Sequence, residues 1–239
     1  MAIVGQRPAL AGPPQQSPFH KGAQRLIKVV GIGAGGHAKV LLDVLRCASG
    51  FEVVGLVDAD PKQHGRSLEG VSVLGGYEAL DRLLGEDVSH AFLGVGAVGD
   101  NQPRAQLFER FRGLGFHFVK AIHPAAVVAT SAEIGEGVAI MAGAVVNPGA
   151  RLGVNVIVNT GAVVDHDCVL EDHVHIAPGA VLSGGVKVGK YGHVGTGAAV
   201  RQGVTIAEGA LVGVGAVVVA DVPARATVAG NPARVRSSR

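Results

Sequence analysis

The sequence predicts a small Rossmann-like α/β domain followed by a left-handed parallel β-helix of hexapeptide repeats, and three observations carry that prediction. Strand-like and helix-like segments alternate up to about residue 121. A strict six-residue period follows and runs almost to the C-terminus. Glycine, at 37 of 239 residues, is roughly twice its usual share of about 7%, while aromatics are 4% and tryptophan is absent, so the repeat must enclose a narrow interior.

Residues 1–25 are rich in Pro, Gln and Gly and contain neither the apolar stretch of a signal peptide nor a span of about 18 apolar residues. They read as a flexible tail on a soluble protein. The segments LIKVVGIG, FEVVGLVD, HAFLGVG and FHFVKAI read as strands, being short, apolar and rich in β-branched or aromatic residues. Between them GGHAKVLLDVLRCA, YEALDRLLG and QPRAQLFERFRGLG carry apolar residues at helical spacing. Strict alternation of the two kinds predicts a parallel sheet over residues 26–121.

GIGAGGHAK closes the first strand and opens the first helix, with Gly31, Gly33 and Gly36 in GxGxxG spacing and Asp58 at the end of the next strand. About 95 residues precede the repeat, roughly half of a doubled dinucleotide fold, so a single nucleotide is the expected occupant. The N–H groups of Gly35, Gly36 and His37 at the helix start are placed for a pyrophosphate, and Asp58 for a ribose or base. Asn101 and Arg104 are weaker candidates for further contacts. The competing reading is that the glycines serve only close packing of strand on helix.

The boundary falls at AIHPAAVV, where His123-Pro124 turns the chain into the repeat that fills residues 122–239. Stepping by six from Ile122 to Val218 meets 17 aliphatic residues without exception. The residue four further on is small, as at Ala144, Ala162 and Ala180, and the residue three further on is most often Gly. Three hexapeptides make an 18-residue triangular coil whose corners need residues that tolerate positive φ. Five such coils, stacked at about 4.8 Å, span roughly 24 Å.

Within VNTGAVVDHDCVLEDHVHIAPG, Asp165, His166, Asp167, His173 and His175 crowd one and a half coils. An 18-residue coil stacks His175 under His193 and His166 under Gly184. Acetylation of an amine needs a base for its proton and a donor for the developing oxyanion. His166 suits the base, Asp167 or less readily Asp165 its orienting carboxylate, and the Gly184 N–H the oxyanion donor. His175 either lines an acetyl-CoA groove or makes an imidazole edge with His193.

A net charge of +2 with no run of Lys or Arg excludes the footprint of a nucleic-acid binder. Cys47 and Cys168 form no CxxC pair; both read as small core residues in a reducing, cytoplasmic setting.

The segments GIGAGGHAKV, VGLVDAD, NTGAVVDHDCVLEDHVHIAPGAVLSGGVKVGKYGHVGTGAAV and the closing VAGNPARV together resemble the sialic acid O-acetyltransferase and nucleotide-activated 4-amino-sugar N-acetyltransferase family over nearly all of residues 27–236. The resemblance implies a homotrimer with each active site between neighbouring subunits, an amino-sugar nucleotide on the first domain and acetyl-CoA along the solenoid. It implies His166 as general base with Asp167 as acidic partner, where relatives often carry Glu. It implies acetyl-CoA contacts from His175, Gly184, Thr196 and Val214, and nucleotide-sugar contacts from Gly35, Gly36, His37, Asp58 and Gly96. Several relatives carry Ser-Gly-His where this chain has Gly35-Gly36-His37, so one hydroxyl contact to the substrate is missing.

The expected activity is therefore acetyl-CoA-dependent N-acetylation of the 4-amino group of a UDP- or GDP-linked 4-amino-4,6-dideoxy sugar, feeding glycan biosynthesis, with no metal. O-acetylation of a sialic-acid-like sugar is the alternative. The zinc carbonic anhydrase of the β-helix type is a remote one, because the spacing of His166, His173, His175 and His193 lacks its His-x4-His pair.

Overall fold

The computed structural model describes residues 26–238, so the tail expected over residues 1–25 lies outside the described residues. The first domain runs β1 (Ile27–Ile32), α1 (Gly36–Ala48), β2 (Phe51–Val57), a 3-10 turn (Pro61–Gln63), a hairpin of β3 (Ser67–Leu68) and β4 (Val71–Ser72), α2 (Ala79–Gly85), β5 (His90–Leu93), α3 (Gln102–Gly113) and β6 (His117–Phe118). Its sheet is parallel with strand order β2-β1-β5-β6. The hairpin is additional to the expected elements: two residues a side are too few to display an alternating pattern. FHFVKAI divides, His117–Phe118 joining this sheet and Ala121–Ile122 forming the first strand of the solenoid.

Helix α1 shows how the domain is held. Ala38, Leu41, Leu42, Val44 and Leu45 recur at helical spacing and are buried, with Leu41, Leu42 and Leu45 sharing a cluster with Ala121, Ala139 and Ile157 of the solenoid. Small side chains at Ala121 and Ala139 admit the helix closely. Phe108, Phe111, Phe116 and Phe118 fill the other side of the sheet, so four of the chain's seven phenylalanines lie in one cluster of this domain. Cys168 is buried in the solenoid as expected, but Cys47, near the end of α1, is exposed. There its thiol lies near Asp43, one turn back, and His123 at the solenoid entrance.

Seventeen two-residue strands, from Ala121–Ile122 to Val217–Val218, build the solenoid on three parallel sheets. Partners are 18 residues apart throughout, as in Ile157 opposite His175 opposite His193. Two faces carry six of these strands and the third five, so two strands extend the five complete coils that the period predicts. The second residue of each pair points inward, and Ile140, Val158, Ile176 and Val194 are fully buried. Truncation of Ile176 to Ala would cost about 2–5 kcal/mol, because the close-packed neighbours above and below cannot collapse into the gap. Ala226–Ala229 and Arg234–Ser238 close the far end.

The outward residues make the three faces different. Face one presents Ala121, Ala139, Ile157, His175 and His193, all buried beneath the first domain. Face three presents Glu133, Arg151, Val169, Lys187 and Thr205, which suit solvent. Face two presents Val127, Val145, Val163, Val181, Ala199 and Val217, an aliphatic stripe that the described residues leave partly exposed, Val127 being 64% exposed. No described helix is long and apolar enough to cross a membrane.

Candidate active site

The corner between faces two and three carries Pro148, His166, Gly184 and Gln202 on successive coils. His166 Nδ1 lies 2.9 Å from Asp167 Oδ2, which fixes the ring as the Nδ1–H tautomer and leaves Nε2, on the Gly184 side, with its lone pair. Asp165 turns instead to the backbone: its Oδ1 accepts the His166 N–H at 2.7 Å and the Asn147 amide at 2.8 Å. Of the two carboxylates that flank His166 in sequence, Asp167 therefore orients the ring and Asp165 braces the turn. The bond to Asp167 raises the His166 pKa above its ordinary value against the opposing effect of desolvation, and the nearby charges of Asp165 and Asp167 add to the rise.

Two features mark this corner as shaped for the ring. Asp167 holds φ +60°, at the position occupied by Gly149 one coil before and Gly185 one coil after, a conformation costly to a residue with a side chain. Gly184 lies directly against the imidazole, and a Cβ there would collide with His166 Nε2. The Gly184 N–H makes no hydrogen bond within the described chain.

Thr196 and Val214 stand on a different corner, between faces one and two, where the Gly215 N–H bonds the Thr196 carbonyl at 2.9 Å and Val214 is 78% exposed. The structure thus sets the expected base and these two residues on opposite margins of face two. His175 differs from an open groove residue: it is 6% exposed under the first domain. Its Nδ1 donates to the Ala97 carbonyl at 3.1 Å, its Nε2 accepts from Asn159 at 3.2 Å, and its ring meets His193 edge-on at 4.8 Å. Burial, with His193 and Arg104 nearby, pushes its pKa down to about 2.

In the first domain the structure brings the expected loop residues together. Gly31 has no room for a side chain between Leu56 and Phe92, and Gly33 holds φ +102°. Gly35 and Gly36, by contrast, face open space within 4 Å, so packing does not account for them. The N–H groups of the first helical turn have no carbonyl one turn back to bond. His37 packs over Gly96, and burial beside Arg104 pushes its pKa down to about 4, so it is neutral at pH 7 and meets an anion only as a hydrogen-bond donor. The Asp58 oxygens accept the N–H groups of Ala34 at 2.7 Å and Asp60 at 2.8 Å, tying the end of β2 to the glycine loop.

Asn101 and Arg104 are not nucleotide contacts. Arg104 is fully buried and donates to the Asn155 carbonyl and Oδ1 at 2.7 and 2.6 Å and to the His173 carbonyl at 2.9 Å. Asn101 donates to the Tyr191 and Gly192 carbonyls at 3.1 and 2.9 Å. Both bind α3 to the corner between faces three and one, where Asn155, His173 and Tyr191 repeat every 18 residues at positive φ. His173 stacks on Tyr191 with centroids 5.4 Å apart, and burial pushes its pKa down to about 4. The 18-residue spacing of this ladder was the available signal; only its covering by α3 separates it from the His166 corner.

Residues 28–111 match the family described as the PglD N-terminal domain. UDP-N-acetylbacillosamine N-acetyltransferase of Bacillus subtilis is 42% identical over 114 residues, covering 46% of this chain and 50% of that protein, so the chain matches half the length of this curated relative. Perosamine N-acetyltransferase of Caulobacter crescentus, solved with CoA and GDP-perosamine, is 45% identical with a TM-score of 0.82, covering 87% of this chain and 96% of the other. The acetyltransferase domain of PglB from Neisseria gonorrhoeae, solved with acetyl coenzyme A, is 42% identical with a TM-score of 0.80, covering 89% and 100%.

Proposed function

Because the chain belongs to the family of hexapeptide-repeat N-acetyltransferases of nucleotide-activated amino sugars, we propose that it transfers an acetyl group from acetyl-CoA to the 4-amino group of a UDP- or GDP-linked 4-amino-4,6-dideoxy sugar. The observation that carries this reading is the His166–Asp167 pair, fixed in the tautomer a base requires and set against Gly184.

The chemistry follows from that geometry. The sugar nitrogen attacks the thioester carbonyl carbon while Nε2 of His166 takes the amine proton; Asp167 stabilises the imidazolium that forms. The Gly184 N–H donates to the oxyanion. On collapse the carbon–sulfur bond breaks, and His166 returns the proton to the departing thiolate. The diphosphate rests on the N–H groups of Gly35, Gly36 and His37, with Asp58 and Gly96 beside it.

A homotrimer completes this reading. His166 and Gly184 lie on one margin of face two and Thr196 and Val214 on the other, next to face one and the first domain that covers it. A contact joining one margin to the opposite margin of a neighbour is heterologous; with a threefold rotation it closes into a ring, and the aliphatic stripe of face two then faces the ring's axis. Incubating the full chain with acetyl-CoA and either amine or hydroxyl acceptors tests the activity. Amide formation with thiol release is expected; acetylation of a sialic-acid-like hydroxyl alone would replace N-acetylation by O-acetylation. Sedimentation of a Val181→Glu variant is expected to give a smaller assembly than wild type.

A further inference from the structure

A cleft of about 800 Å³ opens beyond the end of β2, bounded by Ala59, Tyr77, Glu78, Asp81 and Arg110. It adjoins the glycine loop through Asp58, whose N–H bonds the Gly75 carbonyl at 3.0 Å and whose side chain holds the loop. A nucleoside whose diphosphate lies at the start of α1 and whose ribose passes Asp58 therefore delivers its base here. Resting on the reading that the substrate is a nucleotide-activated sugar, we infer that this cleft takes the base and selects guanine.

The chemistry of the lining sets the choice. Tyr77 stands edge-on to Phe111 with centroids 5.0 Å apart, and the Arg110 guanidinium lies 5.5 Å from the Tyr77 ring, which fixes an aromatic wall with a cation beside it. Glu78 Oε1 accepts the Gly76 N–H at 2.9 Å, and this bond with that to its own N–H lowers its pKa, so the carboxylate is ionised and held in place. Asp81 lines the same cleft from the first turn of α2. Guanine carries contiguous acceptors, N7 and O6, followed by contiguous donors, N1–H and N2–H₂, and arginine suits the first pair as carboxylates suit the second. Uracil offers one donor between two carbonyls, which two carboxylates repel. Adenine sets its amino group where the arginine would need an acceptor. The volume also suits a purine beside its ribose.

The test is calorimetric titration of the full chain with GDP, IDP and UDP, wild type against Asp81→Asn and Glu78→Gln. GDP is expected to bind about 10–100-fold tighter than UDP, the discrimination one good bidentate pair supplies. IDP lacks the 2-amino group and should fall between them, and at least one of the two variants should erase the gap between GDP and IDP while leaving UDP unchanged. UDP binding as tightly as GDP, or a GDP-to-UDP ratio unmoved in both variants, would overturn the guanine assignment. Turnover of a UDP-linked amino sugar in preference to its GDP counterpart would do the same while leaving the acetyltransferase reading intact. Binding of none of the three, with no acetylation of either sugar, would sink both.

Discussion

His166 and His173 are seven residues apart and equally polar, yet the solenoid gives them opposite fates. His166 sits on an open corner, 53% exposed, with a carboxylate that raises its pKa. His173 sits on the next corner under α3, fully covered, with its pKa pushed down to about 4. His175 beside it is also buried, with its pKa pushed down to about 2. The first corner has a basic nitrogen on an exposed ring beside Gly184; the second has neutral rings that fill an interface. Residues that crowd together in the sequence here belong to a site in one case and to a joint between domains in the other.

The sharpest way to break this comparison is kinetic. His166→Ala is expected to lower kcat by on the order of 10²–10⁴-fold with acetyl-CoA binding nearly unchanged, measured by steady-state assay and calorimetry. Full retained activity would remove the base. On the other corner the loss should appear as stability. Arg104→Ala leaves the Asn155 and His173 carbonyls unpaired in a buried joint, at about 1–3 kcal/mol for each unpaired group, and the loss should appear in denaturant unfolding. A cost confined to kcat would instead place Arg104 in the chemistry.

Acidification separates the corners next. His37 and His173 titrate at about 4 when folded and His175 at about 2, whereas their unfolded rings titrate near about 6.5. Below that value the unfolded chain binds more protons, so these three contribute stability that is complete above about pH 6.5 and is lost as the pH falls toward about 4. The urea midpoint followed from pH 7 downward should fall over that window; a flat midpoint would mean the rings are not buried neutral. The smallest effect is expected at Asp167. Asp167→Asn removes the leading cause of the raised His166 pKa, so the acid limb of the pH–rate profile should move to lower pH, with kcat reduced by about tenfold or less. An acid limb that stays in place would transfer the orienting role to another group.

Much of this molecule can be read directly from its residues. The six-residue period from Ile122 to Val218 dictates the coil, because an aliphatic at every sixth place and a small residue four further on fit only a narrow triangular interior. The 18-residue stacking then puts His166 under Gly184, and the helical spacing in α1 gives its buried face. Cys47, expected in the core, is exposed: a small residue between Arg46 and Ala48 does not reveal which way the helix turns it.

What the chain alone could not declare was which outward residues meet another element. Periodicity fixes whether a side chain points in or out of a coil, since that depends on the local backbone. Whether an outward residue is then covered depends on where α1 and α3 come to rest, and those contacts join residues such as Arg104 and Asn155, 51 positions apart. That docking makes a clasp of Arg104, a weaker candidate for a ligand contact, and sets His175, against the His193 edge, in the joint, while the described residues leave the stripe from Val127 to Val217 partly exposed. The six-residue period determined the prism; burial by distant helices decided which of its edges remain free for chemistry.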